Sequence, residues 1–241
     1  MAVIEYVYIR GDRMGKCLFV TGTGTDVGKT YVTGLIVKRF CDAGVSAGYY
    51  KAAISGAGTD EAGRLLPGDA AYVASVAGLH ASMEELVSFV YPDAVSPHLA
   101  AKLNHVPLDR EKVQRDFSRA RDSHEYLTVE GSGGIVCPLR WDETEHIGLD
   151  DLVQWMGIPV LVVADSGLGT INATVLTVEH LRHRHIPIRG IIFNRFHEGN
   201  VMEQDNLFMV EEMTGVPVVA TVREGARTLD MEIEKLSALY G

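Results

Sequence analysis

The sequence is short of cysteine, of positive charge and of long apolar runs, and each shortage removes a class of function. Its three cysteines, Cys17, Cys41 and Cys137, stand singly, without the paired spacing of a zinc site or the even count of a disulfide framework. They are expected to be small packing residues. Only 22 Lys and Arg face 32 Asp and Glu, a net charge of −10, which repels nucleic acid and anionic membrane surfaces. No apolar stretch is long enough to span a bilayer, and the first residues lack a basic region followed by an apolar core. A cytoplasmic protein without nucleic-acid or membrane partners is therefore expected. Prolines number only 8, and a composition of 46% hydrophobic and 22% charged residues is that of a globular rather than a disordered chain. Residues 1–13 precede the first core strand and read as an N-terminal extension, with Met14 as a candidate native start. Residues 14–241 then make a single α/β domain.

What the sequence does have is a glycine-rich turn in a telling place. Gly22-Thr23-Gly24-Thr25-Asp26-Val27-Gly28-Lys29-Thr30 follows the apolar run Cys17-Leu18-Phe19-Val20 and precedes a helix-like stretch starting at Tyr31. A strand that ends in such a turn and opens a helix aims several backbone N–H groups at one point, where the helix N-terminus adds partial positive charge. Gly28 allows close backbone approach, Lys29 supplies a point charge for the β and γ phosphates, and the Thr30 hydroxyl suits Mg²⁺. The loop is a variant: the strict pattern wants glycine at position 23, and here Gly22 stands one residue earlier.

Apolar runs recur at Cys17–Thr21, Val45–Tyr50, Tyr126–Val129, Pro159–Ala164, Ile188–Phe193 and Val216–Ala220, mostly separated by helix-like stretches. That order predicts a doubly wound, mainly parallel sheet with helices on both faces, because runs such as Val160–Ala164 have no polar alternation and must be covered twice. Between Ser55 and Tyr91 a less regular loop region is expected. Ligands gather at the carboxyl ends of such strands.

Several residues near those ends bear chemistry. Lys51 and Ser55 follow the second strand, which is expected to neighbour the strand of the phosphate loop, so that two cations face one triphosphate; a strand-end lysine on its own more often reads as a solvated residue. Glu130 stands at the tip of an apolar strand before Gly131-Ser132-Gly133-Gly134 and is a metal candidate or a turn cap. Asp69 begins a helix-like segment and by itself is an N-cap. Gly167-Leu168-Gly169-Thr170-Ile171-Asn172 opens another helix, either an anion site or merely a tight turn. Asn194 offers an amide for a base edge or a plain turn. Ser96-Pro97-His98 reads as a helix start, the run His180–His185 as a solvated helix end whose arginines repel metal, and Asp142–His146 as a solvated acidic loop.

Together these residues resemble the dethiobiotin synthetase family, ligases of biotin biosynthesis. The resemblance rests on Gly22–Thr30, on Tyr50-Lys51 with Ser55-Gly56, on Ser96–His98, on Val129–Gly134, on Leu168–Asn172 and on Asn194. It implies a P-loop NTPase-like fold, ATP as co-substrate, Mg²⁺, and ring closure of 7,8-diaminopelargonic acid with CO₂ or bicarbonate by a cytoplasmic homodimer. The resemblance makes Thr25, Lys29 and Lys51 catalytic, and it gives the metal to Thr30, Asp69 and Glu130. The nucleotide falls to Asp26, Val27, Gly28, Lys29, Thr30 and Tyr31, with Asp69, Glu130, Gly131, Ser132, Gly133 and Asn194. Substrate falls to Lys51 and Ser55, and its carboxylate to Gly169, Thr170, Ile171 and Asn172 across the subunit interface.

Three places depart from the family's pattern: Gly24 where Asp or Asn is common, Ala220–Arg223 without the usual proline, and Arg195 where Asp often follows Asn194. Two other readings compete. A related amidoligase usually carries a glutaminase domain, for which 241 residues leave no room. A partition-type ATPase switch places a second lysine early in its loop, whereas no lysine lies between Gly22 and Gly28 and the stretch Leu229–Tyr240 is acidic.

Overall fold

The computed structural model describes residues 14–241; the expected extension over residues 1–13 lies outside them. In chain order the elements are β1 (Lys16–Gly22), α1 (Lys29–Asp42), β2 (Ala47–Ile54), β3 (Gly58–Thr59), β4 (Leu65–Leu66), α2 (Gly68–Ala77), α3 (Met83–Leu86), β5 (Val87–Val90), α4 (Pro97–Leu103) and α5 (Arg110–Asp122). They continue with β6 (Tyr126–Gly134), β7 (Pro138–Trp141), β8 (His146–Gly148), α6 (Leu149–Met156), β9 (Val160–Asp165), α7 (Thr170–His183), β10 (Ile188–Asn194), α8 (Val201–Thr214), β11 (Val218–Val222) and α9 (Ile233–Ser237).

Seven strands form one sheet in the order β11-β10-β9-β1-β6-β2-β5, and every pairing in it is parallel. Alternation along β1 explains the layering. Leu18 and Val20 pack with Val32, Leu35, Ile36 and Phe40 of α1 on one face, while Cys17 and Phe19 pack with Phe117 of α5, Leu152 of α6 and Val178 of α7 on the other. Successive strand side chains point to opposite faces, and a parallel sheet needs both faces covered. The predicted fold class holds. The chain passes from β1 through α1 to one side of the sheet, and from β9 through α7 to the other. The order reverses beside β1, the place where such sheets leave a crevice at their carboxyl ends.

Several expectations change. Residues 55–91 are not an irregular loop: they carry the β3–β4 hairpin, α2, α3 and the seventh strand, β5. Its four residues, Val87-Ser88-Phe89-Val90, are too few for periodicity to separate from a turn. Strand β2 does not neighbour β1; β6 lies between them. Strand β2 runs on to Ile54 and β6 to Gly134, so Lys51 and Glu130 sit within strands rather than beyond their ends. Strand β11 begins at Val218, not Val216. Of the acidic segment 142–146, residues 142–145 form the tip of the β7–β8 hairpin and His146 opens β8; Arg140 pairs there with Asp142 at 2.6 Å and Glu145 at 3.0 Å. The hydrogen bond from Arg140 drives the Asp142 carboxyl far below the usual range. His180 Nε2 lies 2.9 Å from Asp150 Oδ2, which gives that histidine a structural partner. Ser96 precedes α4 with Pro97 in its first turn, and its hydroxyl meets His98 Nδ1 at 3.0 Å instead of capping the helix. The three cysteines are free, and Cys17 is buried. Among the described residues no helix is long and apolar enough to cross a membrane.

Candidate functional site

Strand β1 delivers the chain at Gly22, and after six intervening residues α1 begins at Lys29. The turn between them needs a left-handed residue, and Gly28 takes it with φ 90°. A Cβ there would stand 2.0 Å from Asn194 Nδ2, which donates to Val27 O at 3.0 Å. Only glycine fits at that position. Lys29 folds back over the loop and donates from Nζ to Gly24 O at 2.9 Å. Burial lowers its pKa, and the nearby Lys51 ammonium lowers it further, despite Glu130, Asp69 and Asp26. A lysine held in that condition gains strongly from an anion.

Two further strands supply the opposite wall. Thr30 Oγ1 donates to Glu130 Oε1 at 2.7 Å, Tyr49 donates its hydroxyl to Glu130 Oε2 at 3.0 Å, and Lys51 Nζ donates to Glu130 Oε1 at 2.8 Å and Asp69 Oδ2 at 2.5 Å. Asp69 is the second residue of α2, so the helix start also favours its negative charge. Burial lowers the Lys51 pKa, but the carboxylates of Glu130 and Asp69 more than compensate and the net shift is upward. Burial raises that of Asp69, yet Lys51, Thr30 and Lys29 bring it below its ordinary value. Burial, with Glu130 beside it, pushes the Tyr49 phenol well up, which keeps it a hydrogen-bond donor.

These groups open onto a cavity of about 670 Å³, lined on the loop side by Thr25, Asp26, Gly28, Lys29, Thr30 and Tyr31 and opposite by Lys51, Asp69, Tyr72, Glu130, Gly133 and Arg195. Ten of the predicted residues therefore come together. Others stand behind the wall: Val27 offers its carbonyl to Asn194, Ser132 donates to Ala53 O at 2.8 Å, and Gly131 lets Phe19 and Leu149 approach. Asn194 is buried, with its amide nitrogen committed to the loop and its Oδ1 without a partner among the described residues. Ser55 does not line the cavity. Nor do Gly169–Asn172, although Gly169 takes φ 92° and opens α7 as Gly28 opens α1.

Sequence reasoning missed Tyr49 and Tyr72, and it noted Arg195 only as a departure. Tyr72 stands three residues after Asp69, on the same helical face. Arg195 adopts φ 57° directly after Asn194 and reaches Asp165 with one nitrogen and Asp26 O with another.

The donor set suits a hard divalent cation. Thr30, Asp69 and Glu130 offer only oxygens, and the Lys51 ammonium already contacts both carboxylates, so a positive charge is at home there. Two carboxylates and a hydroxyl are a donor set that would fit Mg²⁺.

A family model described as an AAA domain matches residues 16–228. The chain is 46% identical to an ATP-dependent dethiobiotin synthetase BioD of Brachyspira hyodysenteriae, over 90% of this chain and 96% of that one. It is 43% identical to one of Clostridium botulinum, over 94% and 99%. Among solved structures, the MinC:MinD cell division complex of Aquifex aeolicus gives a TM-score of 0.54 at 14% identity, covering 93% of this chain and 86% of that one. The cell division ATPase MinD of Pyrococcus furiosus gives 0.50 at 16%, covering 88% and 84%. At such identities these structures speak for the fold alone.

Proposed function

The chain belongs to the ATP-dependent dethiobiotin synthetase family, and from that premise we propose how its residues divide the work of closing 7,8-diaminopelargonic acid and CO₂ into a cyclic urea. The observation that carries the reading is the pair of buried lysines, Lys29 and Lys51, opening onto one cavity from different elements. Lys29 would face the polyphosphate, and Lys51, paired here with Glu130 and Asp69, would turn to a second anion once a metal takes those carboxylates.

One amine of the substrate takes up CO₂ as a carbamate. A carbamate oxygen attacks the γ-phosphorus and ADP leaves. The second amine then attacks the carbonyl of the mixed anhydride, the C–O bond to phosphate breaks, and the amine proton is lost as the ring closes. Carbamate and triphosphate repel each other, so catalysis is largely positioning and charge stabilisation. Lys29 and the loop N–H groups from Asp26 to Tyr31 hold the β and γ phosphates, and Thr25 borders them. Lys51 steadies the carbamate, with Ser55 as a further substrate contact. Preorganised cations of this kind stabilise charge that develops on the transferred group. Thr30, Asp69 and Glu130 would hold Mg²⁺, which when bound supplies neutralising charge to the phosphates.

The substrate carboxylate is assigned to the start of α7, Gly169–Asn172, of a second copy. Support comes from the exposed apolar side chains beside it: Leu168 is 93% exposed, and Leu176 of α7 and Phe208 of α8 are exposed too. A homodimer would cover them. The net charge of −10 suits a cytoplasmic enzyme of small metabolites.

The test is phosphate release from ATP, Mg²⁺ and bicarbonate with and without the diamine, together with mass spectrometry of the product. Diamine-dependent release with dethiobiotin appearing in step is expected. Release indifferent to the diamine would overturn the substrate and leave a P-loop hydrolase.

A further inference from the structure

Glu130 is already heavily engaged. A carboxylate offers about four lone-pair sites, and Thr30, Lys51 and Tyr49 take three of them. Lys51 is the most committed of these donors: its side chain is 4% exposed, it also grips Asp69, and Glu130 beside it is wholly enclosed. The cavity floor thus holds two cations, Lys29 and Lys51, against two anions, Asp69 and Glu130, and these charges cancel.

That balance decides what can enter. A divalent cation arriving alone adds two positive charges to a neutral site, and it needs the same oxygens that Lys51 holds. The ammonium it displaces would then be left buried next to Lys29 without its two carboxylate partners, and a buried charge that loses its partner is strongly destabilising. A triphosphate arriving with the cation changes the sum, because its oxygens neutralise the metal, Lys29 and the displaced ammonium together.

We infer that Lys51 is the resident counter-ion of the metal-holding carboxylates, and that it makes the site selective for a divalent cation delivered with a nucleotide over the free ion. The inference rests on the assignment of Thr30, Asp69 and Glu130 to the metal. It gives Lys51 a task before any carbamate is present.

The probe is Mn²⁺, whose free concentration is read by electron paramagnetic resonance, titrated onto nucleotide-free protein. Lys51→Gln should bind Mn²⁺ at least tenfold more tightly than wild type, because the competing ammonium is gone. Lys51→Arg, which keeps a cation, should bind no more tightly than wild type. Mn²⁺ binding by Lys51→Gln that is equal to or weaker than wild type overturns the inference, as does tightening by Lys51→Arg to the same degree. Removing Lys51 also leaves two carboxylates facing each other and can unfold the variant, so its melting temperature is measured in parallel. Mg²⁺ alone should raise the Tm of Lys51→Gln by several degrees and leave that of wild type unchanged, and no rise in the variant refutes the counter-ion role. No diamine enters these measurements, so their failure leaves the ligase reading standing, and loss of diamine-dependent phosphate release leaves the counter-ion role standing.

Discussion

Two helix starts, side by side in the sheet, share a backbone and differ in everything else. Strands β1 and β9 are paired neighbours, and each ends in a glycine-containing turn that opens a 14-residue helix through a left-handed glycine, Gly28 at φ 90° or Gly169 at φ 92°. Around Gly28 the chain has gathered Lys29, Thr30, Lys51 and Glu130 from different elements, and Asn194 presses against the turn. Around Gly169 a Cβ would meet nothing within 4 Å, and Leu168 points into solvent. A helix N-terminus with free N–H groups favours any anion. What fits the first one for the proposed triphosphate is the set of charged side chains that other elements bring to it. Among the described residues the second start lines no such cavity, and the charge beside it is the Arg195–Asp165 pair.

The sharpest way to break this comparison is to remove the charge. Lys29→Met keeps the apolar stem and takes away the ammonium beside the expected phosphates. It should lower kcat/KM for phosphate release by roughly 10²–10³-fold, the usual cost of losing one preorganised charge or donor at a reacting group. Stability should move the other way. The pKa of Lys29 in the folded protein lies below its ordinary 10.5, so the charged form is disfavoured by folding at neutral pH, and removing it should not lower the Tm. The same depression makes nucleotide affinity decline with rising pH before an ordinary lysine would titrate. A large fall in Tm with unaltered turnover would show Lys29 to be a structural residue.

Next in size is a matched pair of glycine substitutions. Gly28→Ala forces a left-handed alanine and pushes its Cβ to 2.0 Å from Asn194 Nδ2, against a side chain whose hydrogen bond fixes Val27 O. Strain of about 1–3 kcal/mol and a lost hydrogen bond of about 1 kcal/mol, if borne wholly by the nucleotide-binding conformation of the loop, should weaken nucleotide binding roughly 30- to 1,000-fold by calorimetry. Gly169→Ala meets open space and bears only the left-handed penalty, about 1–2 kcal/mol of stability, with nucleotide affinity unchanged. Equal losses of nucleotide binding in both variants would mean that the two turns are not the separate devices described above.

The phosphate loop was legible because its information is local: glycine, lysine and threonine at fixed offsets between a strand and a helix. The doubly wound class was legible for a similar reason, since apolar runs without alternation demand two covered faces. Strand order was not. That β6 lies between β1 and β2 is a long-range pairing which no short window encodes. The error propagates to Lys51, which was expected beyond its strand; Ala52-Ala53-Ile54 simply continue the strand, burying the lysine against Glu130. Asn194 was placed at the crevice by position alone, whereas its amide is committed to the loop carbonyl of Val27. Tyr49 stayed hidden because a tyrosine in an apolar strand reads as core, and only the structure shows its hydroxyl on Glu130.

The smallest effect belongs to Arg195, which links the two helix starts physically. Its guanidinium holds Asp165, whose other oxygen accepts from Gly167 N in the turn before α7, and it also donates to Asp26 O in the phosphate loop. The arrangement has the look of a brace, but the side chains of Arg195 and Asp165 are 43% and 38% exposed. An ion pair so accessible to water contributes about 0–1 kcal/mol and is screened by salt. Arg195→Ala should therefore weaken nucleotide binding by no more than about fivefold, with the difference from wild type shrinking as salt is raised from low to physiological strength. A loss near that of Lys29→Met, persisting in salt, would place the guanidinium on the nucleotide itself and make Arg195 part of the first helix start's own charged set rather than a tie between the two.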